Sequence, residues 1–246
     1  MRDPARLSIP IGIVIAASLA PGLWGQADLQ EGLKALRKGN YQVALIHLQT
    51  LAAAGNPEAQ YQLGRMYSRG EGVQLDYATA AAWVQKAAEQ GHPDAQSILG
   101  VMYGLGQGVP KDYKTAALWY QKAAEQGNVF AQSSLGYMFS KGLGVPKNLK
   151  TAAGWSRKAA DQGNEYAQFT QGTLYETGQG VPKDIVEAYA WFTLAATAGH
   201  KEAVKARDSA ATRMTATQLE HAQARAKALA VNISARHRSP VFQNPK

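Results

Sequence analysis

The 246-residue chain is predicted to be an all-α solenoid built from helix pairs that repeat every 36 residues. Tryptophan recurs at this spacing, at Trp83, Trp119, Trp155 and Trp191. A Gly-x-Gly-Val loop recurs with it, at residues 70–73, 106–109, 142–145 and 178–181. A fixed period of this length indicates stacked supersecondary units, each of which buries its apolar face on its neighbours.

Residues 1–27 have the layout of a secretory signal peptide. Two arginines precede an apolar run over residues 9–20, and Gly25 and Ala27 place small residues at both cleavage-site positions. We expect cleavage after Ala27, which makes the mature chain periplasmic or secreted. The alternative is an uncleaved membrane anchor. Against it, the apolar run is interrupted by proline and glycine and is shorter than the ~20 residues that a spanning helix needs.

The distribution of charge and the lack of cysteine exclude several classes of function. The formal net charge is +8, but residues 28–200 carry 15 basic and 14 acidic side chains, whereas residues 201–246 carry nine and three. A nearly neutral repeat body in an exported chain argues against a nucleic-acid partner. The chain has no cysteine, which excludes disulfides, thiolate metal sites and cysteine nucleophiles.

The first repeat is expected at residues 28–58 as a shortened unit that lacks the Gly-x-Gly-Val loop. Each full repeat then has a first helix (helix A), the glycine loop and a second helix (helix B). In the first full repeat Asn56 and Asp76 are expected to cap the two helices, because their side chains can accept hydrogen bonds from free N–H groups. The four full repeats are expected at residues 59–94, 95–130, 131–166 and 167–202.

A glycine stands in the middle of every helix A of a full repeat. Such a glycine costs about 1 kcal/mol relative to alanine. Its recurrence at Gly64, Gly100, Gly136 and Gly172 therefore predicts close approach of helix B. Alanine recurs on helix B with the same period, at Ala80, Ala116, Ala152 and Ala188.

The chain is expected to end in polar capping helices over residues 203–230. Thr215 and Gln218 have the spacing of a capping box, which predicts the start of the last helix there and its end near Ala230. Residues 231–246 contain two prolines and scattered basic side chains, so we expect a flexible basic tail.

The assembled motif reads AQ-x-x-LG-x-x-Y-x-x-G-x-GV-x-x-D-x-x-x-A-x-x-W-x-x-KAA-x-x-G. Over residues 29–230 the chain resembles the Sel-one-like repeat (SLR) family, relatives of the tetratricopeptide repeats. The resemblance implies a right-handed α/α superhelix that serves as an adaptor or scaffold for other proteins. Bacterial members are commonly exported, and include regulators and assembly factors for envelope structures or exopolysaccharide. The chain departs from the motif at Phe139, Asn148, Gln171 and Leu194.

The resemblance leaves two other function classes open. Some cysteine-rich members are described as penicillin-binding or β-lactamase-like, so a cell-wall or β-lactam hydrolase is one alternative, although this chain lacks their paired cysteines. A polysaccharide-binding assembly factor, with sugars stacked on the tryptophans, is the other. The constant register of the tryptophans in helix B favours core packing instead. We therefore expect a non-enzymatic scaffold without a cofactor or metal.

Polar residues that resemble catalytic groups occupy turn positions. His92 and His200 stand where other repeats have asparagine, which predicts a helix-capping role. Glu187 lies three residues after Asp184, the spacing of a capping box. The aspartates before helix B are expected to be caps rather than paired catalytic carboxylates: Asp76, Asp112 and Asp184. Four equivalent glycine loops also argue against a phosphate loop, which occurs once and ends in Gly-Lys-Ser/Thr.

Binding is expected at positions that differ between repeats, because packing explains the others. By analogy with related superhelices, helix A lines the concave face. Its variable positions mix aromatic, aliphatic and basic groups, as protein interfaces do. We expect a segment of an envelope protein to bind there, and membrane contact only if the N-terminal segment is uncleaved. The candidate partner-binding residues are Tyr61, Arg65, Arg69, Val101, Leu105, Tyr137, Lys141 and Phe169.

Overall fold

The structure, a computed structural model, describes residues 21–238, with side chains placed for residues 25–236. Within this range the chain forms twelve α-helices and no β-strand. The predicted all-α fold class is therefore confirmed. The helices are α1 (Pro21–Arg37), α2 (Tyr41–Ala53), α3 (Pro57–Arg69), α4 (Tyr77–Glu89), α5 (Pro93–Leu105), α6 (Tyr113–Glu125), α7 (Val129–Lys141), α8 (Leu149–Ala160), α9 (Glu165–Thr177), α10 (Ile185–Thr197), α11 (Lys201–Ala211) and α12 (Ala216–Arg238).

The helices pack in the order in which they occur in the chain. Each helix A contacts its own helix B and the helix B of the preceding repeat. Buried alanines of α4, for example, pack with Ala95, Leu99 and Met102 of α5. Helix α5 also contacts α7 directly, so these successive A helices share one side of the stack. This is the solenoid that the 36-residue period predicts.

Helix A of each full repeat begins at a side-chain cap and ends at a glycine. Three asparagine side chains accept a hydrogen bond from the N–H group three residues on: Asn56, Asn128 and Asn164. His92 does the same through Nδ1, 3.2 Å from the Ala95 nitrogen. The cap expected at His200 does not form. Its ring stacks on Phe169 instead, with centroids 4.3 Å apart.

Helix B begins at the predicted polar caps. Asp76 Oδ1 accepts hydrogen bonds from the Ala78 and Thr79 nitrogens at 2.9 and 3.1 Å. Equivalent caps form at Asp112, Asn148 and Asp184. A complete capping box would also have the Glu187 side chain accept a hydrogen bond from the Asp184 backbone nitrogen, and this bond is absent among the described residues. The Glu187 carboxylate lies 2.5 Å from Arg225 Nε, because α12 packs beside α10.

The mid-helix glycines lie where helix B comes closest, as predicted. A Cβ atom on Gly64 would be 2.6 Å from Val84 Cγ2 and 3.1 Å from the Ala80 carbonyl oxygen. A Cβ atom on Gly172 would overlap the Phe192 ring. The side chain that fills the space is therefore the helix B residue four positions after the repeated alanine.

The second glycine of each loop contacts the preceding repeat. Gly108 has a φ of +73°, and a Cβ atom there would overlap the carbonyl group of Tyr77, the first residue of the preceding helix B. Gly144 and Gly180 stand in the same relation to Tyr113 and Leu149. The repeated loop therefore has a packing function between repeats, which confirms its structural interpretation.

Buried glutamines of helix A and more exposed glutamines near the end of helix B form a hydrogen-bonded series between repeats, called the glutamine ladder below. On helix A the Nε2 groups of Gln60, Gln96 and Gln132 donate to a carbonyl of the preceding helix B at 3.1 Å. Their Oε1 atoms accept hydrogen bonds of 2.7–2.8 Å from a second glutamine, at Gln90, Gln126 and Gln162. The same second Nε2 group also donates to the carbonyl oxygens of Gly55, Gly91 and Gly127. Burial of the helix A amides is possible because their hydrogen bonds are made.

The C-terminal helices cover the last repeat. The predicted capping box forms, since the Thr215 nitrogen donates to Gln218 Oε1 at 3.0 Å and the Gln218 nitrogen donates to Thr215 Oγ1 at 3.2 Å. Helix α12 continues to Arg238, so the predicted helix end at Ala230 is too early. Ile233 packs on the core of α8–α10, and Arg236 pairs with Asp161 at 3.3 Å, which holds the extra turns. The rest of the predicted tail, residues 239–246, lies outside the described residues.

The N-terminal helix α1 packs against α2 to form the first, shortened pair. The predicted cleavage site after Ala27 falls within α1, and residues 1–20 lie outside the described residues, so the signal peptide stays a prediction. Across residues 21–238, the helices lack the combination of length and apolar character that crossing a membrane requires.

Candidate functional site

Three of the eight predicted binding residues meet in one apolar groove. The groove has a volume of about 560 Å³ and is called the central groove below. Val101 and Leu105 of α5 line it together with Tyr137 of α7. Residues of α6 and the first turn of α9 complete the lining, so the groove extends over three successive A helices.

The central groove exposes large apolar side chains. The fractions exposed to solvent are 61% for Leu105, 57% for Tyr137, 55% for Phe130 and 63% for Tyr166. Phe130 and Tyr166 were not among the residues predicted from the sequence. A signal for them existed, because the 36-residue period aligns them with Glu58 and Asp94 of the earlier repeats. Acidic residues in two repeats and aromatic residues in the next two mark this helix position as variable.

Tyr120 of α6 forms part of the wall beneath Phe130, with ring centroids 6.3 Å apart. Burial raises the pKa of its hydroxyl to about 12, so the group stays neutral at physiological pH. Other repeats carry Val84, Ser156 or Phe192 at the equivalent position. The groove therefore owes part of its aromatic character to a variable residue of helix B.

A second cleft, called the N-terminal cleft below, is polar and has a volume of about 400 Å³. Arg65 and Arg69 of α3 line it together with Arg37 of α1. Arg69 pairs with Glu71 at 3.5 Å. Arg65 donates a hydrogen bond to Gln62 Oε1 at 3.1 Å and has no carboxylate within ion-pair distance among the described residues.

The remaining three predicted residues lie outside the central groove. Tyr61 stacks on His92 with centroids 4.7 Å apart, and Phe169 stacks on His200. Both rings thus contact the residue that precedes the next helix, α5 or α11, which gives them a packing role. Lys141 is exposed at the end of α7 and lines neither cleft.

The tryptophans are packing residues, although three of the four are only half-buried. Trp119 packs against the core of α4 and α5, and Trp155 packs against that of α6 and α7. A lysine ammonium lies over the ring of each half-buried tryptophan at 4.0–4.3 Å from the ring centroid. Trp191 is fully buried.

The described residues offer little for metal chemistry. Among the side chains of residues 25–236, no three histidine, aspartate or glutamate groups lie close enough together to hold a metal ion. The His92 ring is occupied by its cap and by Glu58, whose carboxylate lies 2.9 Å from Nε2. That hydrogen bond lowers the pKa of Glu58. The arrangement is that of a helix junction.

Comparison with solved structures finds similar repeat proteins. A protective antigen of uropathogenic Escherichia coli, c5321, displays an SLR fold and is 32% identical with a TM-score of 0.78, covering 90% of this chain and 49% of that one. A Sel1 repeat protein from Oxalobacter formigenes is 32% identical with a TM-score of 0.66, covering 78% of this chain and 88% of that one. This chain spans about half the length of the antigen. A comparison with curated proteins finds no match.

The Sel1 repeat model matches most of the chain, at residues 27–56, 57–92, 93–128, 129–164 and 166–200. Its full repeats begin near the first residue of helix A in the structure, at Pro57, Pro93, Val129 and Glu165. The helix caps, the close glycine contacts and the loop between repeats recur in the same frame. The chain belongs to the Sel1 repeat family.

Proposed function

We propose that the protein is a non-enzymatic scaffold that binds an apolar segment of a partner protein in the central groove. Sel1 repeat proteins commonly act as scaffolds for interactions between proteins. The observation that carries the proposal is the exposure of Leu105, Phe130, Tyr137 and Tyr166 around one groove. A contiguous apolar patch on a soluble protein marks an interaction site.

The central groove can supply most of the binding free energy. Full burial of a large apolar side chain contributes about 1.5–3 kcal/mol. Tyrosine and phenylalanine are also frequent anchors at the centre of protein interfaces. Because the groove follows α5, α7 and the start of α9, it suits an extended or helical segment that contacts successive repeats.

The N-terminal cleft, which shares no lining residue with the central groove, adds a preference for acidic groups elsewhere on the partner. Arg37 and Arg65 line the cleft and have no carboxylate within ion-pair distance among the described residues, whereas the two carboxylates of the cleft, Glu58 and Glu71, are paired with His92 and Arg69. Each exposed ion pair contributes only about 0–1 kcal/mol. The charges therefore select among partners, while the apolar groove provides the affinity.

The envelope location is part of the proposal and rests on the signal-peptide pattern of residues 1–27. Fractionation followed by N-terminal sequencing tests it. Export predicts a periplasmic or secreted chain that begins at Asp28. An intact Met1 in the membrane fraction would replace this location with a membrane-anchored scaffold.

Photocrosslinking in cells tests the groove. A photoreactive residue at position 137 should capture one partner protein, which mass spectrometry then identifies. Position 118 provides the matched control, because Leu118 is 56% exposed but lies on helix B and outside the groove. Capture of the same partner with equal yield from position 118 would contradict the groove proposal.

The captured partner then permits a binding measurement. Phe130→Ala and Tyr137→Ala should each weaken binding by about 2 kcal/mol, which corresponds to roughly 30-fold in Kd. Leu118→Ala should leave Kd unchanged. Melting curves of all three variants separate lost binding from lost folding.

The two alternative function classes make different predictions. A hydrolase would turn over nitrocefin or muropeptides, and one point substitution would abolish the activity. A polysaccharide-binding protein would change its tryptophan fluorescence when sugars are added. The scaffold proposal predicts neither effect, because the tryptophans pack against the repeat cores and lysines cover three of their rings.

A further inference from the structure

The glutamine ladder is broken at the last full repeat. At the three earlier junctions, one glutamine near the end of helix B donates from Nε2 both to a buried glutamine Oε1 atom and to a glycine carbonyl oxygen. The period places Ala198 at that position after α10. Alanine has no amide, so the donor is missing.

The acceptors of the missing donor remain in place. The Gln168 side chain is 3% exposed, and its Nε2 group still donates to the Ala160 carbonyl oxygen at 3.3 Å. Its Oε1 atom accepts no hydrogen bond from the residues that the structure describes. Gly163 is the residue equivalent to the glycines that accept from the ladder elsewhere. A buried acceptor without a donor is costly, and such groups in folded proteins are usually satisfied.

A cavity of about 530 Å³ adjoins these acceptors between α10 and α12. Gly163, Gln168 and Ala198 line one part of it, and Leu194, Ala226 and Ile233 give it apolar walls. Its volume lies within the range of ligand sites in proteins. The cavity thus offers two hydrogen-bond acceptors, which a single NH₂ group can satisfy, beside an apolar surface.

We propose that residues 239–246 of the same chain bind in this cavity, with Phe242 on the apolar wall and the side-chain amide of Gln243 or Asn244 on the acceptors. The segment follows closely in sequence, because Ile233 and Ser234 line the cavity and α12 ends at Arg238. Pro240 cannot donate to a continuing helix and clashes with its preceding turn. From Arg238 to Gln243 an extended chain reaches about 16–18 Å, whereas the helix rises only about 6 Å from Ser234 to Arg238.

The chemistry of the segment matches that of the cavity. Val241 and Phe242 are apolar and directly precede Gln243 and Asn244, which carry primary amides. A primary amide is the group that occupies the equivalent position at the three earlier junctions. The segment would therefore restore the ladder with an amide from elsewhere in the chain.

Photocrosslinking of the purified full chain tests this inference. The photoreactive residue p-benzoylphenylalanine replaces Phe242, and mass spectrometry maps the crosslinked peptides. Crosslinks within one molecule to residues 193–198 of α10 and its C-terminal end are expected. Crosslinks to α12 are not diagnostic, because it directly precedes the labelled segment.

A matched pair of variants makes the test specific for the amide position. Ala198→Gln restores the ladder donor and should reduce the crosslinks to α10 several-fold. Ala198→Ser is too short to reach Gln168 Oε1 and should leave them unchanged. Melting curves confirm that both variants fold. Crosslinks to α10 that persist in Ala198→Gln would overturn the inference, as would crosslinks only to other regions or to a second molecule.

Discussion

The substitution of Gly64 by alanine, in the middle of α3, tests directly whether helix B packs so closely that only glycine fits at this position. The added Cβ atom would lie 2.6 Å from Val84 Cγ2, 3.1 Å from the Ala80 carbonyl oxygen and 3.2 Å from the Val84 nitrogen. Val84 is 1% exposed and β-branched, so its side chain has little freedom to rotate away. Two of the three contacts involve backbone atoms, which side-chain rotation does not relieve.

A second glycine provides the matched control. Gly154 lies inside α8, and a Cβ atom there meets no neighbour within 4 Å. Gly154→Ala should stabilise the protein by about 1 kcal/mol through helix propensity alone. Gly64→Ala has the same propensity effect, opposed by overpacking of about 1–3 kcal/mol. The propensity effect cancels in the comparison, so the variants should differ by about 1–3 kcal/mol.

Circular dichroism melts of the two variants measure this difference. For a chain of this size 1 kcal/mol shifts the midpoint by about 2–4 °C, so a separation of about 2–12 °C is expected. In a Val84→Ala background the penalty of Gly64→Ala should shrink, because the nearest contact is gone. If Gly64→Ala raises the midpoint as much as Gly154→Ala does, helix B does not restrict this position.

Three further predictions follow from the repeated contacts. Gly108→Ala should destabilise the protein by more than Gly91→Ala in urea melts, because both glycines have positive φ but only a Cβ atom at Gly108 would overlap backbone, at Tyr77; equal destabilisation would contradict the contact between repeats. Asp76→Ala should lower the free energy of unfolding measurably, whereas Asn40→Ala, at a position with no capping hydrogen bond, should lower it less; similar losses would rule out the cap. Hydrogen bonds from Thr79 and Thr115 lower the pKa values of Asp76 and Asp112 below the usual 3.8 in the folded protein. The two ionised caps therefore stabilise the folded state above pH 3.8, and this stabilisation is lost as the pH falls through the lowered pKa values. The double variant Asp76→Asn and Asp112→Asn keeps caps like that of Asn148 and should lose less stability in acid urea melts; an unchanged acid profile would refute this.

Variation between repeats predicts residues of the central groove, but it also selects residues that are packed elsewhere. Val101, Leu105 and Tyr137 were identified because they vary between repeats, and the structure brings them together in the central groove. Tyr61 and Phe169 vary in the same way but stack on His92 and His200. Variation shows that repeated packing does not fix a residue. It does not show whether a contact unique to one repeat has fixed it instead.

The sequence by itself determined the helix pairs, most of their caps, the glycine positions and the stacking of repeats. These features depend on interactions within one repeat or with the next, so the same residues recur every 36 positions and the period reveals them. Only the tertiary structure decided which variable residues share a groove, that α12 continues to Arg238, and that Ala198 leaves Gln168 without a donor among the described residues. Each of these depends on side chains that occur once and meet across helices, as Ile233 does with the core of α8–α10. Such contacts carry no period, and their geometry exists only after the repeats have stacked.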